Sequence, residues 1–131
     1  LTSEILVQLE VPVYPTEELE LVTSAVKSLF PKMALQVSRH GDLQVVKGEG
    51  RGYDQLERIR MLIRSRRIRA AARSILQSGI EADTLTFLLS KQAASVGKLS
   101  FCEPSDNVPL GSISVRVRFY HPQEVVGWLT D

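Results

Sequence analysis

Apolar residues alternate from Ile5 through Val7, Leu9 and Val11 to Val13, the two-residue period of a strand with one buried face. Pro12 and Pro15 close this segment. Thr16, ahead of Glu17 and Glu18, reads as an N-cap followed by carboxylates at the positive end of a helix. Leu19, Val22, Val26 and Leu29 recur at helical spacing until Pro31 stops them. Met33 to Ser38 and Leu43 to Val46 are predicted as short strands around the turn-like His40-Gly41-Asp42. Asp54 is placed to cap a long helix running to about Ser78, with Gly79 ending it in a left-handed conformation.

Beyond it, Leu85, Phe87 and Leu89 alternate as a strand. Lys91 to Ser95 suggests a helical turn, Lys98 to Glu103 another strand, and Pro104 to Gly111 a turn region. Ile113, Val115, Val117 and Phe119 alternate clearly, and Pro122 opens a short helix carrying Val125, Val126, Trp128 and Leu129. The order β-α-β-β-α-β-β-β-α implies an α+β two-layer sandwich. A mixed, largely antiparallel sheet of about six strands would carry its helices on one face. With 131 residues, a single domain over 1–131 is expected.

Charge changes the picture at one place. Between Arg58 and Arg73 the chain carries seven arginines and no acidic residue, although its net charge is only +1. A local excess of guanidinium groups attracts polyanions, and their fork geometry suits phosphate. The plainer alternative is a solvated or assembly face.

At 100° per residue the long helix resolves into stripes. Leu56, Ile59, Ile63 and Ala70 share one apolar face, and Met61, Ile68, Ala72 and Ile75 another. Arg58, Arg66, Arg69 and Arg73 lie between them on one side, with Arg60, Arg64 and Arg67 on the other. The second apolar stripe calls either for a kink near Arg64 to Arg66 or for a homodimer seam. In the seam case the flanking arginines would line a two-fold basic surface able to follow a duplex by shape and charge.

Other candidates carry less. Gly48-x-Gly50-x-Gly52 lacks the spacing of a dinucleotide fingerprint and reads as a plain turn. Arg116, Arg118 and Tyr120 alternate against Val115, Val117 and Phe119, so they point to one outer sheet face. They could hold RNA phosphates and stack a base, or simply solvate the strand. Lys91 could add a donor. Ser90, His121 and Asp106 form no recognisable catalytic signature, so an enzyme is not expected.

Cys102 is the single cysteine, which fits a reducing cytoplasm. The two histidines have no partner at metal-ligand spacing, so neither metal nor cofactor is expected. No apolar stretch approaches the ~20 residues of a membrane span. The start lacks a signal peptide, and Leu1 suggests that a few residues have been trimmed before it.

The stretch Ile63-Arg64-Ser65-Arg66-Arg67-Ile68-Arg69-Ala70-Ala71-Ala72-Arg73-Ser74, with Leu89-Ser90-Lys91-Gln92-Ala93-Ala94, resembles a small archaeal family. Val11-Pro12-Val13-Tyr14-Pro15-Thr16-Glu17, Pro109-Leu110-Gly111 and Gly127-Trp128-Leu129 extend the resemblance over nearly the whole chain. That family is described as predicted RNA-binding, exosome-associated proteins. Its fold is likened to the large-subunit ribosomal protein that contacts 5S RNA. The resemblance implies RNA binding and a place in an RNA-processing complex. With the arginine run, the single cysteine and the lack of a catalytic signature, the expectation is a cytoplasmic, non-catalytic protein binding structured or double-stranded RNA with low sequence specificity. The RNA contacts expected are Arg60, Arg64, Arg66, Arg67, Arg69 and Arg73, supported by Lys91, Arg116 and Arg118. The competing expectation is an assembly or scaffold protein whose seam is Met61, Ile68 and Ile75.

Overall fold

The computed structural model describes residues 4–103, 106 and 110–131. Its strands are β1 (Leu6–Val13), β2 (Ala34–His40), β3 (Leu43–Arg51), β4 (Ile80–Glu81), β5 (Thr84–Leu89), β6 (Phe101–Cys102) and β7 (Ile113–Arg118). Its helices are α1 (Leu19–Leu29), α2 (Glu57–Ser65), α3 (Arg69–Ser78), α4 (Lys91–Ser95) and α5 (Pro122–Leu129). A 3-10 turn, Tyr53–Leu56, leads into α2. The strands form one sheet in the order β2-β3-β1-β7-β5-β4, and β6 pairs with β5. The architecture is α+β as expected. The sheet has seven strands among the described residues, close to the about six expected, and the largely antiparallel pairing expected is antiparallel throughout the described pairs.

Pleating sorts the sheet into two faces. Val7, Leu9 and Val11 on β1 are buried, and so are their partners Val117 and Val115 on β7 and Val46 on β3. This inner face packs under α1 (Val22, Val26, Leu29), α2 (Ile59, Ile63), α3 (Leu76) and α5 (Val125, Leu129) as one continuous core. The outer face carries Gln8, Glu10, Lys47, Glu49, Arg116 and Arg118. One strong alternation therefore dictates both the core and the polar face.

The long helix is divided. α2 ends in the chain reversal Arg66-Arg67-Ile68, where Ile68 N–H donates to Ile63 O (3.3 Å) and Arg67 N–H to Arg64 O (3.2 Å). This crossed pair of bonds is a Schellman cap, and Arg67 occupies its left-handed position with φ of 56°. The break rephases the apolar pattern. Ile59 and Ile63 bury from α2, whereas Ala72 and Leu76 bury from α3 and Ala70 is exposed. The second stripe therefore follows a kink. Ile68 packs against the core, Ile75 is half-buried, and Met61 alone of the three is largely exposed.

Local readings change at five more points. α1 starts after Glu18 with no side-chain cap, so Thr16 does not cap it. Asp54 lies within the 3-10 turn rather than ahead of a helix. Gly48 and Gly50 belong to β3, not to a loop: a Cβ on Gly48 would sit 2.7 Å from Met33 Sδ, and one on Gly50 would collide with Gln55. Gly79 ends α3 with a negative φ of −92°; its role is to let Thr86 O approach, since a Cβ there would overlap that carbonyl. The predicted strand Lys98 to Glu103 shortens to Phe101–Cys102, and most of the predicted turn from Pro104 to Gly111 lies outside the described residues.

Candidate nucleic acid interface

The seven arginines of the α2–α3 segment separate into two groups by what their side chains touch. Three of them converge on the carboxyl end of α5, where helical carbonyls lack intrahelical donors and carry the negative end of the helix dipole. Arg60 donates from Nε to Trp128 O (2.9 Å), lies over the Trp128 ring at 4.9 Å, and reaches Asp131 Oδ2 at 3.4 Å. Arg73 donates from Nε to Thr130 Oγ1 (3.0 Å) and from Nη2 to Thr130 O (2.8 Å). Arg64 contributes a longer contact from Nη2 to Asp131 O (3.4 Å). Thr130, fully buried, completes the clasp by donating from Oγ1 to Val126 O. Arg60, Arg64 and Arg73 thus fasten α5 to the two arginine helices, with Arg60 half-buried and Arg64 and Arg73 still exposed at the surface.

The other group is open to solvent. Arg58, Arg66, Arg67 and Arg69 are exposed, and none makes an ion pair or a side-chain hydrogen bond among the described residues. Arg66, Arg67 and Arg69 are held together at the elbow by the Schellman cap. The first turn of α3 adds no carboxylate and has no side-chain cap, so its backbone N–H groups reinforce the positive field. Arg58 was legible on the same helical stripe as Arg66 and Arg69, but its freedom shows only once the clasp is seen.

Lys91 must also be reassigned. Its side chain is 5% exposed, and Nζ donates to Pro12 O (2.7 Å), Leu110 O (2.6 Å) and Glu17 Oε1 (2.9 Å). All three ammonium donors are thereby used, with the Tyr14 ring 5.7 Å away. Glu17 accepts a second bond from Tyr14 N–H (3.0 Å). Lys91 therefore joins three segments that sequence places far apart, and has no donor left for RNA.

Arg116 and Arg118 are exposed on the outer face of β7, across the sheet from the helices. Register defines two cross-strand rows there. One runs Arg51, Leu6, Arg118, Thr84, and the next Ala34, Glu49, Gln8, Arg116, Thr86. Arg51 was missed from sequence because nothing local pairs it with Arg118. Tyr120, two residues beyond Arg118, is 76% exposed. Glu10, Gln36, Lys47 and Ser114 continue the same face and, with Gln8 and Arg116, border a concavity of about 570 Å³. The helix arginines and the strand arginines consequently occupy opposite faces of the molecule.

At the end of this sheet Tyr53, Phe119 and Trp128 form an aromatic cluster, with Tyr53 4.8 Å from Trp128 and 6.5 Å from Phe119 between ring centres. Burial, and secondarily the Glu124 carboxylate, raises the Tyr53 phenol above its ordinary value. The Ser90, His121 and Asp106 set is not assembled. Ser90 Oγ caps α4 by accepting from Ala93 N–H, Asp106 accepts from Glu103 N–H, and His121 lies edge-on to Phe119. Among the described residues no three His, Cys, Asp or Glu side chains group to hold a metal, and no helix is long and apolar enough to cross a membrane.

Residues 6–119 match a family model described as RNA binding. The chain belongs to the UPF0201 family. A UPF0201 protein of Saccharolobus solfataricus is 34% identical over 117 residues, covering 89% of this chain and 81% of the relative. A UPF0201 protein of Sulfolobus acidocaldarius is 35% identical over 121 residues, covering 92% and 83%. The crystal structure of a UPF0201 protein from Methanococcus jannaschii superposes with a TM-score of 0.83 at 27% identity, covering 95% of this chain and 92% of that one. A DUF54 protein of Methanothermobacter thermautotrophicus shares the fold, with a TM-score of 0.65 at 15% identity over 96% and 98% of the two chains. Membership of this family, whose matched relatives are archaeal, and the α+β fold of this chain are thereby shown.

Proposed function

We propose that this UPF0201 protein is a non-catalytic RNA-binding protein that grips the phosphate backbone of structured or double-stranded RNA at the α2–α3 elbow. The observation that carries this reading is the division of the arginines. Three fasten α5, while Arg58, Arg66, Arg67 and Arg69 stand exposed with no ion-pair partner among the described residues. Fastening α5 holds the helices under the elbow, so its guanidinium groups are presented from a rigid base. Phosphate contacts of this kind position a nucleic acid without reading bases, which supports low sequence specificity. The family description supports the same reading, which we extend to a place in an RNA-processing complex.

Salt-dependent binding to a duplex RNA tests it. Each phosphate contact contributes roughly 0.9 to the slope of log K against log salt, so the four free arginines support a slope of about −2 to −4. Replacing Arg66 and Arg69 by Ala should make the slope shallower by about 1 to 2 units. Replacing Arg60 and Arg73 should lower stability and leave the slope of the folded protein unchanged. A salt-independent interaction, or a slope lost equally in both double variants, rejects the elbow as the grip.

A further inference from the structure

The outer face of the sheet lies on the side opposite the helix layer that carries the elbow, so the two basic surfaces are distinct. We propose that this outer face is a second RNA site, selective for single-stranded RNA, in which Tyr120 stacks an unpaired base and Arg116 and Arg118 hold the flanking phosphates. The inference rests on the RNA-binding reading above and adds a substrate class to it.

Three features of the face converge on that ligand. Arg116, Arg118 and Tyr120 are exposed at successive next-but-one positions, while Val115 and Val117 are buried and Phe119 packs against the core. Between Arg116 and Arg118, both in β7, the repeat is about 6.6–6.8 Å, a step that an extended single strand can follow with one phosphate per arginine, and Tyr120 follows in a bend just past the strand end. Arg51 lies two strands across from Arg118, roughly 10 Å away at the backbone, and widens the positive track at this end of the face.

Tyr120 supplies the selectivity. A ring 76% exposed beside two arginines offers a stacking surface to a base that has left its own stack, and bases inside a duplex are not available to it. Phe119, partly buried between Tyr53 and His121, anchors the backbone immediately before Tyr120. The neighbouring concavity is lined by the amides of Gln8 and Gln36, the hydroxyl of Ser114 and the carboxylates of Glu10 and Glu49. These carboxylates repel phosphate but accept from the amino groups of base edges, and Gln8 Nε2 already donates to Glu49 Oε1 at 3.0 Å. The polar mixture therefore suits bases in the concavity and phosphates along the Arg116–Arg118–Arg51 margin. Asp83, whose backbone carbonyl accepts from Phe119 N–H, and exposed Glu4, near Gly52, are acidic residues at this margin, and neither makes an ion pair with Arg51 or Arg118 among the described residues.

Fluorescence anisotropy with a labelled single-stranded RNA of about a dozen nucleotides, and with the same strand annealed to its complement, tests the inference. Tyr120→Ala should weaken single-strand binding roughly tenfold to a hundredfold and leave duplex binding unchanged. Tyr120→Phe should retain wild-type affinity. Arg116→Ala with Arg118→Ala should weaken the single strand and flatten its salt dependence, whereas Arg66→Ala with Arg69→Ala should affect the duplex. Equal affinity of wild type and Tyr120→Ala for the single strand overturns the inference, as does an equal loss on both RNAs. Duplex binding that persists with no Tyr120 effect overturns this site alone. Single-strand binding through Tyr120 without duplex binding overturns the elbow reading alone, and no binding to either RNA overturns both.

Discussion

Arg67 offers a substitution whose effects on stability and on binding should have opposite signs. Its φ of 56° places an L-residue in the left-handed region that a Schellman cap requires. The α4 terminus uses the same bonding pattern, with Gly97 N–H to Ala94 O at 3.0 Å and Lys98 N–H to Ala93 O at 2.9 Å, but has Gly97 at φ 72°. Arg67→Gly should remove about 1–2 kcal/mol of left-handed strain. The freer unfolded chain offsets roughly 0.5–1 kcal/mol of this, leaving a net gain of about 0.5–1 kcal/mol. That corresponds to a Tm rise of about 2–4 °C in a domain of this size. Because the guanidinium is lost, the salt slope of duplex RNA binding should become shallower by about 0.9. Thermal unfolding and a salt series on the same preparation measure both quantities. A destabilised variant refutes the strain argument, and an unchanged slope removes Arg67 from the phosphate grip.

Three further outcomes follow from buried or crowded groups. Lys91→Met leaves Glu17, whose side chain is only 14% exposed, as an unpaired carboxylate and should destabilise by about 3–5 kcal/mol; adding Glu17→Gln should recover part of this, and strictly additive losses in denaturant melts would contradict the coupling. Gly79→Ala forces a Cβ onto Thr86 O and should lower stability by about 1–3 kcal/mol, so an unchanged unfolding midpoint rejects the close-approach account. Burial, then the Asp106 carboxylate, raises the Cys102 thiol, as burial and then Glu124 raise the Tyr53 phenol; the unfolded chain ionises first, near the ordinary values of 9.0 and 10.0. Stability should therefore be full below about pH 9 and fall as pH rises through the folded values, and Cys102→Ala and Tyr53→Phe should each remove part of that slope in urea titrations.

Strand alternation made much of the fold legible because pleating is a local property: it sends Val7 to the buried face and Gln8 to the opposite, polar face regardless of distant partners. The α2–α3 break was half legible. Its rephased apolar stripe signalled a kink, but arginine stands where glycine usually marks a left-handed cap, so the reversal lacked its chemical signature. Gly48 and Gly50 misled for the converse reason, since a strand residue without a side chain shows no alternation.

By itself, the sequence determined that basic charge is concentrated in one segment, that a single alternating sheet has helices on one side, and that Arg116 and Arg118 share an outward face. The family relationship was also carried by residues readable in order along the chain. Only the tertiary structure decided which cations remain available. Composition makes Lys91 and Arg66 equivalent positive charges. Backbone carbonyls from Pro12 and Leu110 and the Glu17 carboxylate consume every donor of Lys91, whereas Arg66 meets no carboxylate among the described residues. The carbonyls that capture Arg60, Arg64 and Arg73 lie some sixty residues away, at separations of 68, 67 and 57 positions. Helical periodicity places a side chain on a stripe; only the packing of α5 against that stripe determines whether its guanidinium bonds a helix end.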